Sequence, residues 1–506
     1  MISNWMLVSA LFLLAACSQQ PVSETGPQEA FDFGGVYNDT VAGTIDRTVT
    51  PARPDGPPNI VLIIADDLGW PYLGFLGDEN VITPNMDMLG NGGMVFELGH
   101  ASSNYCRPTL QSLITGLYPD QYETRSEAIA DAEMAATSLP DDADTPAEQR
   151  LLRQQYVTSA IEQMPTLPRL LSEAGYASHQ SGKWWEQSYA HGGFTHGMTG
   201  SWTWRDGAEL GDRWFFTFMG GSGNEIGRTT MAPVTDFIDT HADEPFFLWY
   251  GPALPHTPLN PPQRFYKFYE DRADLSESAK LYYANITWFD WSVGQLLDSL
   301  AENRVLDNTL IVYFNDNGWE QPPDAEYVGN DIYLANGGPR GKTSFFETAF
   351  RTPVIFYWAD EIAAQRDTTT LVNAIDVMPT LMDYAGLPDN PDLPGYSLRP
   401  LIEGGTLPDA RDHMIGKMTR HRAGTDFRGI PNPDVTDFMG SELSGYYRRD
   451  QRWHFVWLPE TDETALYDMI EDPGQTVDAS SANPDLVAQF KADIQTWQTF
   501  YEAPSP

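Results

Sequence analysis

The sequence predicts an α/β fold: a large doubly wound mixed sheet sandwiched by helices, with a smaller C-terminal α+β domain. Three observations predict it. Short apolar runs (IVLIIA, PFFLWY, TLIVYF) each lead into polar or charged residues, as expected of buried parallel strands whose C-terminal ends carry ligand-binding groups. Apolar residues at helical spacing recur between these runs, so strand and helix alternate. Beyond about Thr406 the segments become shorter and mixed.

Taken in order, MISNWMLVSALFLLAACSQQ holds an apolar run from Met6 to Ala16, too short to span a bilayer, that ends at Leu14-Ala15-Ala16-Cys17. This reads as an export signal. The tetrapeptide has the form of a bacterial lipobox, so residues 1–17 are expected to be a lipoprotein signal peptide with Cys17 as the lipidated residue. The mature chain is then expected at the periplasmic face or outer membrane. Residues 18–58, polar and rich in Gly, Pro, Thr and Asp, read as a flexible tether. A main α/β domain is expected over 59–405 and the smaller domain over 406–506.

Ile60–Ala65 is the first strand, ending in Asp66-Asp67. The stretch NYCRPTLQSLITGLYP, Asn104–Pro119, reads as a loop into a short helix closed by Gly116. Glu123–Arg150 is Ala-, Asp- and Glu-rich and reads as a solvated surface excursion. Thr166–Ala174 predicts a helix with an early Pro and Gly175 as its stop, followed by a strand into Gly182-Lys183. Pro245–Tyr250 is a strand leading to Pro255-His256, and Ala279–Asn303 is a long amphipathic helix. Thr309–Phe314 is a strand ending in Asn315-Asp316-Asn317-Gly318. Val354–Trp358 and the helix Asp376–Ala385 complete the main domain; Trp453–Leu458 and the Asn483-capped helix Pro484–Phe500 belong to the tail.

Charge narrows the function. Thirty Lys and Arg against 71 Asp and Glu give a net charge of −41, which excludes non-specific nucleic-acid binding. An anionic substrate must therefore meet local positive charge against an unfavourable overall field. The chain has two cysteines; with Cys17 committed to lipid, Cys106 has no disulfide partner. Alone, such a cysteine reads as a small buried hydrophobe.

Asp66, Asp67, Asp316 and Asn317 are hard oxygen ligands at two strand ends, the set that a Ca2+ or Mg2+ ion takes. From Asn59 onward the chain resembles the sulfatase family of the alkaline-phosphatase superfamily. The resemblance rests on NIVLIIADDLG, CRPTLQSLITGLYP, GYASHQSGKWW, EPFFLWYGPALPHTPL, NTLIVYFNDNG, RGKTSFFETAFRTPVIF, IDVMPTLMDYAGL and ALYDMIEDP, in that order. It implies a hydrolase of sulfate esters, on a sulfated carbohydrate, whose nucleophile is a formylglycine made from Cys106 by a formylglycine-generating or equivalent enzyme. It implies a metal site of Asp66, Asp67, Cys106, Asp316 and Asn317, with Ca2+ favoured over Mg2+. Lys183 and Lys342 are implied to neutralise sulfate oxygens, and His256 to protonate the leaving oxygen.

Two positions depart from the family pattern. The arginine that normally ends the Cys-x-Pro-Ser/Ala-Arg signature is Leu110, and a histidine that normally follows Gly-Lys-Trp is Trp185. His191 or His196 folding back, and Arg107 supplying charge, are the expected substitutes; Trp185 and His196 are accordingly taken as substrate-binding. Trp184, Trp185, Trp202 and Trp204 are candidate stacking surfaces for sugar rings. Two alternatives stay open: a phosphoester or phosphonate ester hydrolase using the same site, and a non-catalytic surface protein that binds sulfated glycans.

Overall fold

The computed structural model describes residues 56–136, 145–206, 219–319, 340–407, 409–420 and 443–501. The signal segment with Cys17, the tether up to residue 55 and part of the 123–150 segment lie outside the described residues.

Among the described residues, the central sheet has nine strands. Its path is β4 (His196–Gly197), β3 (Ala177–Gly182), β5 (Phe246–Gly251), β1 (Asn59–Ala65), β6 (Thr309–Asn315), β7 (Arg351–Tyr357), β2 (Met94–His100) and β8 (Gln365–Asp367), with β9 (Val372–Asn373) also on β2. The pairs β4/β3, β3/β5, β5/β1 and β1/β6 are parallel, whereas β7 runs against both β6 and β2. The mixed sheet expected from the sequence is therefore present.

Both faces of β1 are buried, which is why it reads as an unbroken apolar run. Ile60, Leu62 and Ile64 face one layer, and Val61, Ile63 and Ala65 the other. Each fully buried aliphatic side chain of this kind contributes about 1.5–3 kcal/mol. The first layer takes side chains from α2 (Cys106–Thr115), α5 (Leu167–Glu173) and α8 (Val377–Tyr384); the second takes them from α1 (Pro84–Gly92), α6 (Ala232–His241) and the long α7 (Glu277–Glu302).

The segment expected to be a surface excursion is largely helical. Pro119–Ala136 (α3) and Pro146–Ser159 (α4) pack together, and Thr145 with Glu148 forms a capping box at the start of α4. High helix propensity of Ala and Glu explains this. Arg153 bridges the two helices by pairing with Glu127 and Asp131.

At the C-terminus, β10 (His413–Arg420), β11 (Leu443–Asp450), β12 (Trp453–Leu458) and β13 (Glu463–Asp468) form an antiparallel sheet in that order. Period-two alternation divides its side chains. Tyr447, Val456, Leu458, Ala465 and Tyr467 join the main core, while Tyr446, Phe455, Trp457 and Leu466 pack with Phe490, Ile494 and Trp497 of α9 (Pro484–Tyr501). Among the described residues, no helix is long and apolar enough to cross a membrane.

Candidate active site

Strands β3, β5, β1 and β6 are neighbours and run the same way, so their C-terminal ends open on one edge of the sheet. That edge gathers the polar groups that follow each apolar run. Asp66 and Asp67 leave β1, Asp316 and Asn317 leave β6, Lys183 leaves β3 and His256 follows β5. Asp66 N–H donates to Leu254 O at 2.9 Å and Asp316 N–H to Ala65 O at 3.0 Å, which knits the strand exits together.

Gly182, the last residue of β3, has φ +84, and a Cβ on it would lie 1.8 Å from Gly251 O. Only glycine permits this turn. It sends Lys183 into the site, where Nζ donates to Asp66 Oδ1 at 2.7 Å. Lys342 Nζ donates to Asp67 Oδ1 at 2.8 Å, and Asn317 Nδ2 reaches the same oxygen at 2.7 Å. Asp67 N–H donates to Asp316 Oδ1 at 3.1 Å.

Asp66, Asp67, Asp316, Asn317, Lys183 and Lys342 are all buried. Burial opposes ionisation of Asp66, but Lys183, His256 and Lys342 outweigh it and hold the carboxyl at about 2. Asp316 goes the other way: burial and then the charge of Asp66 push it well above the carboxylate range. Burial also works against the charge on Lys183, and Asp66 more than restores it.

One oxygen of each candidate ligand is left over. Asp66 Oδ2, Asp67 Oδ2, Asp316 Oδ2 and Asn317 Oδ1 are buried without a hydrogen-bond partner. Leaving such atoms unpaired costs about 1–3 kcal/mol each, so a cluster of four at one sheet edge calls for a cation. Ligand atoms of Asp66, Cys106 and Asp316 lie within 4.8 Å of one another, as do those of Asp66, Asp67 and His256. Three carboxylates and an amide oxygen are hard donors suited to Ca2+ or Mg2+.

Cys106 opens α2. Its N-cap, Tyr105, supplies no side-chain cap, and Gly116 at φ 69 closes the helix. The site side chain thus sits at a helix N-terminus, where the dipole favours negative charge. Cys106 is a free, buried cysteine, and burial pushes its thiol up to about 11 against the pull of Lys183 and Lys342. His256 sits at 3.6 Å from Asp67 Oδ2 through Nε2, while its Nδ1 is 2.6 Å from Thr257 O. A ring nitrogen facing a carbonyl must be the donor, so Nε2 is the nitrogen turned to the site.

Other expected residues are placed elsewhere. His196 is on edge strand β4, exposed, paired with His179 three residues before the end of β3, and its ring packs against Phe237 and His241. His191 is bound to Ser188 at 2.8 Å. Neither folds back to the position left by Trp185, because each is held by its own local partners. Trp184 is a core residue, edge-on to Phe194 and Trp249, and Trp202 and Trp204 are also buried. They offer no surface for sugar stacking. Trp185 is buried with its ring centroid 5.8 Å from Lys183 Nζ. Arg107 pairs with Glu186 through two hydrogen bonds, of 2.7 and 3.1 Å.

Two supporting residues were missed by sequence reasoning. The Tyr282 hydroxyl donates to Asp67 O and accepts from Gly69 N–H, both at 2.9 Å. Arg228 donates to Ala253 O, to Asn260 Oδ1 and to His256 O, which fixes the loop carrying His256. Tyr282 carried no signal beyond its place in an apolar helix pattern. Arg228 stood in a Gly-rich stretch without periodicity.

One sheet edge thus collects hard oxygens, two buried lysines and a histidine. The chain belongs to the sulfatase family, whose model matches residues 58–387, and is a sulfuric ester hydrolase by class. It is 29% identical over 389 residues to N-acetylgalactosamine-6-sulfatase of Canis lupus familiaris, covering 70% of this chain and 67% of that one. Among solved structures it is similar to Ps i-CgsB, with a TM-score of 0.64 and 23% identity over 89% of this chain and 94% of that one. It is also similar to BT4656 in complex with its substrate D-glucosamine-2-N,6-O-disulfate, with a TM-score of 0.60 and 18% identity over 88% and 98%.

Proposed function

We propose that the protein hydrolyses a sulfate ester carried on a carbohydrate, at a Ca2+ ion held by Asp66, Asp67, Asp316 and Asn317, with a formylglycine made from Cys106 as nucleophile. The four unpartnered buried oxygens, with Asp66 and Asp316 grouped around Cys106, carry this reading. The sugar substrate is supported by the similarity to N-acetylgalactosamine-6-sulfatase and to BT4656 with its disulfated glucosamine.

Bound Ca2+ supplies Lewis-acid charge that lowers the pKa of the attacking hydroxyl and takes up charge on sulfate. Hydrated formylglycine would supply one hydroxyl to attack sulfur as the ester S–O bond breaks, and a second whose deprotonation would restore the aldehyde and break the C–O bond to sulfate. The remaining work falls to side chains of this chain. Lys183 and Lys342, held by Asp66 and Asp67, neutralise the peripheral sulfate oxygens as charge accumulates on them. His256, as the imidazolium with its Nδ1–H donated to Thr257 O, gives its Nε2 proton to the oxygen leaving as the S–O bond breaks and is left as the neutral ring.

The same reading takes the chain to be an exported lipoprotein anchored through Cys17 and modified at Cys106 by an enzyme of its host. Release of inorganic sulfate from an aryl sulfate and from sulfated monosaccharides tests the activity. Chelation should abolish release and added Ca2+ restore it; turnover that is indifferent to chelation, or confined to phosphate esters, contradicts the reading. Palmitate labelling of the wild-type chain and of Cys17→Ala tests the anchor.

A further inference from the structure

We propose that Glu186 is a positioning residue for the nucleophile: its buried carboxylate locks the first turns of α2, which begins at Cys106, to the loop that carries Lys183. The inference rests on the reading of Cys106 as the nucleophile precursor. It addresses the departure at Leu110, where the family signature has an arginine.

Leu110 is 4% exposed and sits in the apolar core with Leu113 and Ile114. It can hold nothing by charge. The positive charge of this helix lies instead at Arg107, and Arg107 is turned to Glu186. Glu186, three residues beyond Lys183, is 3% exposed, yet its carboxylate accepts four hydrogen bonds. Oε1 accepts from Arg107 Nε at 2.7 Å and from Gln111 Nε2 at 2.9 Å. Oε2 accepts from Arg107 Nη2 at 3.1 Å and from the Tyr122 hydroxyl at 3.0 Å.

The four donors come from two helices. Arg107 and Gln111 are one turn apart on α2 and so share a face, and Tyr122 comes from α3. A planar guanidinium gripping a carboxylate through two parallel bonds fixes orientation as well as distance. Low dielectric makes such a fully satisfied buried network stiff and makes its partial loss costly. With its guanidinium engaged by Glu186 through two bonds, Arg107 serves as a mechanical strut between α2 and the loop after β3. The distance between the residue-106 side chain and Lys183 Nζ depends on how α2 sits against the loop after β3, and Glu186 is the bolt between them.

The test compares the full-length wild-type chain with Glu186→Gln, Arg107→Met and the double variant, each checked for formylglycine content. Three quantities are read: steady-state kinetics on an aryl sulfate, Ca2+ affinity by calorimetry, and hydrogen exchange over residues 106–115. Glu186→Gln should lower kcat about 10- to 100-fold with KM and Ca2+ affinity unchanged, and exchange in the 106–115 helix should quicken. The double variant should be no worse than Glu186→Gln alone, because the Arg107 ion pair is already lost in that variant. Unchanged kcat and exchange, or losses that add in the double variant, overturn the proposal. If Glu186→Gln does not fold, Gln111→Leu removes one donor and keeps the ion pair; it should shift exchange and kcat in the same direction by less, and no shift overturns the proposal. Should the wild-type chain release no sulfate, the reading of Cys106 fails, and exchange over 106–115 still decides whether Glu186 clamps the helix.

Discussion

Asp67 leaves β1 with φ +64, a conformation that is uncommon for a side-chain-bearing residue. Tyr282 sustains it by bonding Asp67 O and Gly69 N–H together, and its ring stacks on Trp319 at 3.9 Å. Tyr282→Phe should therefore fold, yet bind Ca2+ about 10- to 100-fold more weakly; calorimetric titration measures this, and wild-type affinity would remove the role. Lys183→Ala should lower kcat/KM on an aryl sulfate about 100- to 1,000-fold, read by initial rates, whereas a loss below threefold would show that Lys183 serves only to satisfy Asp66. These two residues also mark what was legible. Lys183, Asp66, Asp67, Asp316 and Asn317 follow apolar strands or a glycine stop, so local pattern exposes them. Tyr282 and Glu186 act through partners far along the chain, and nothing near them in sequence distinguishes a clamp from an ordinary core or surface residue.

Among elements, the parallel strands were readable as unbroken apolar runs buried on both faces, and the long helices by a periodic apolar face. The excursion at 123–150 is solvated over most of its described residues, as read, but low hydrophobicity hid its helix propensity; the α3–α4 pair is stabilised by its capping box and by Arg153. The join between the two sheets was not readable at all. There, Glu347 accepts from Arg449 Nε at 2.8 Å and contacts His100 Nε2 at 2.9 Å, and His454 Nδ1 lies 2.7 Å from Gln475 Nε2. Burial favours a neutral Glu347, but Arg449, His100 and Arg351 hold its carboxyl well below the usual range. Burial pushes His454 down to about 3 and also lowers His100.

The signs agree. A carboxyl depressed on folding contributes stability above its unfolded value of about 4.3 and loses it as pH falls toward the folded value. A histidine depressed on folding costs stability once pH falls below about 6.5, by up to about 1.4 kcal/mol per pH unit for each group. Thermal unfolding should therefore begin to drop in midpoint below about pH 6.5. His454→Gln should flatten that slope; a midpoint constant down to about pH 4.5, or a slope unaltered in the variant, would contradict this account of the join.

At the scale of the whole molecule, a chain of net charge −41 that acts on an anionic ester needs its cations where sulfate binds. The fold meets this need by bringing Lys183, Lys342 and His256 from separate segments to one sheet edge, beside the hard oxygens of Asp66, Asp67, Asp316 and Asn317. The departures at Leu110 and Trp185 leave that arrangement intact: both side chains are buried in apolar packing, and Arg107 is spent on Glu186. What the account requires above all is that residue 106 be an aldehyde in the active protein. Mass spectrometry of the Cys106 peptide, taken from chain expressed in its native host and active on a sulfate ester, tests this most directly. The account predicts the mass loss that converts CH2SH to CHO, in proportion to activity; an unmodified thiol in fully active protein would contradict it.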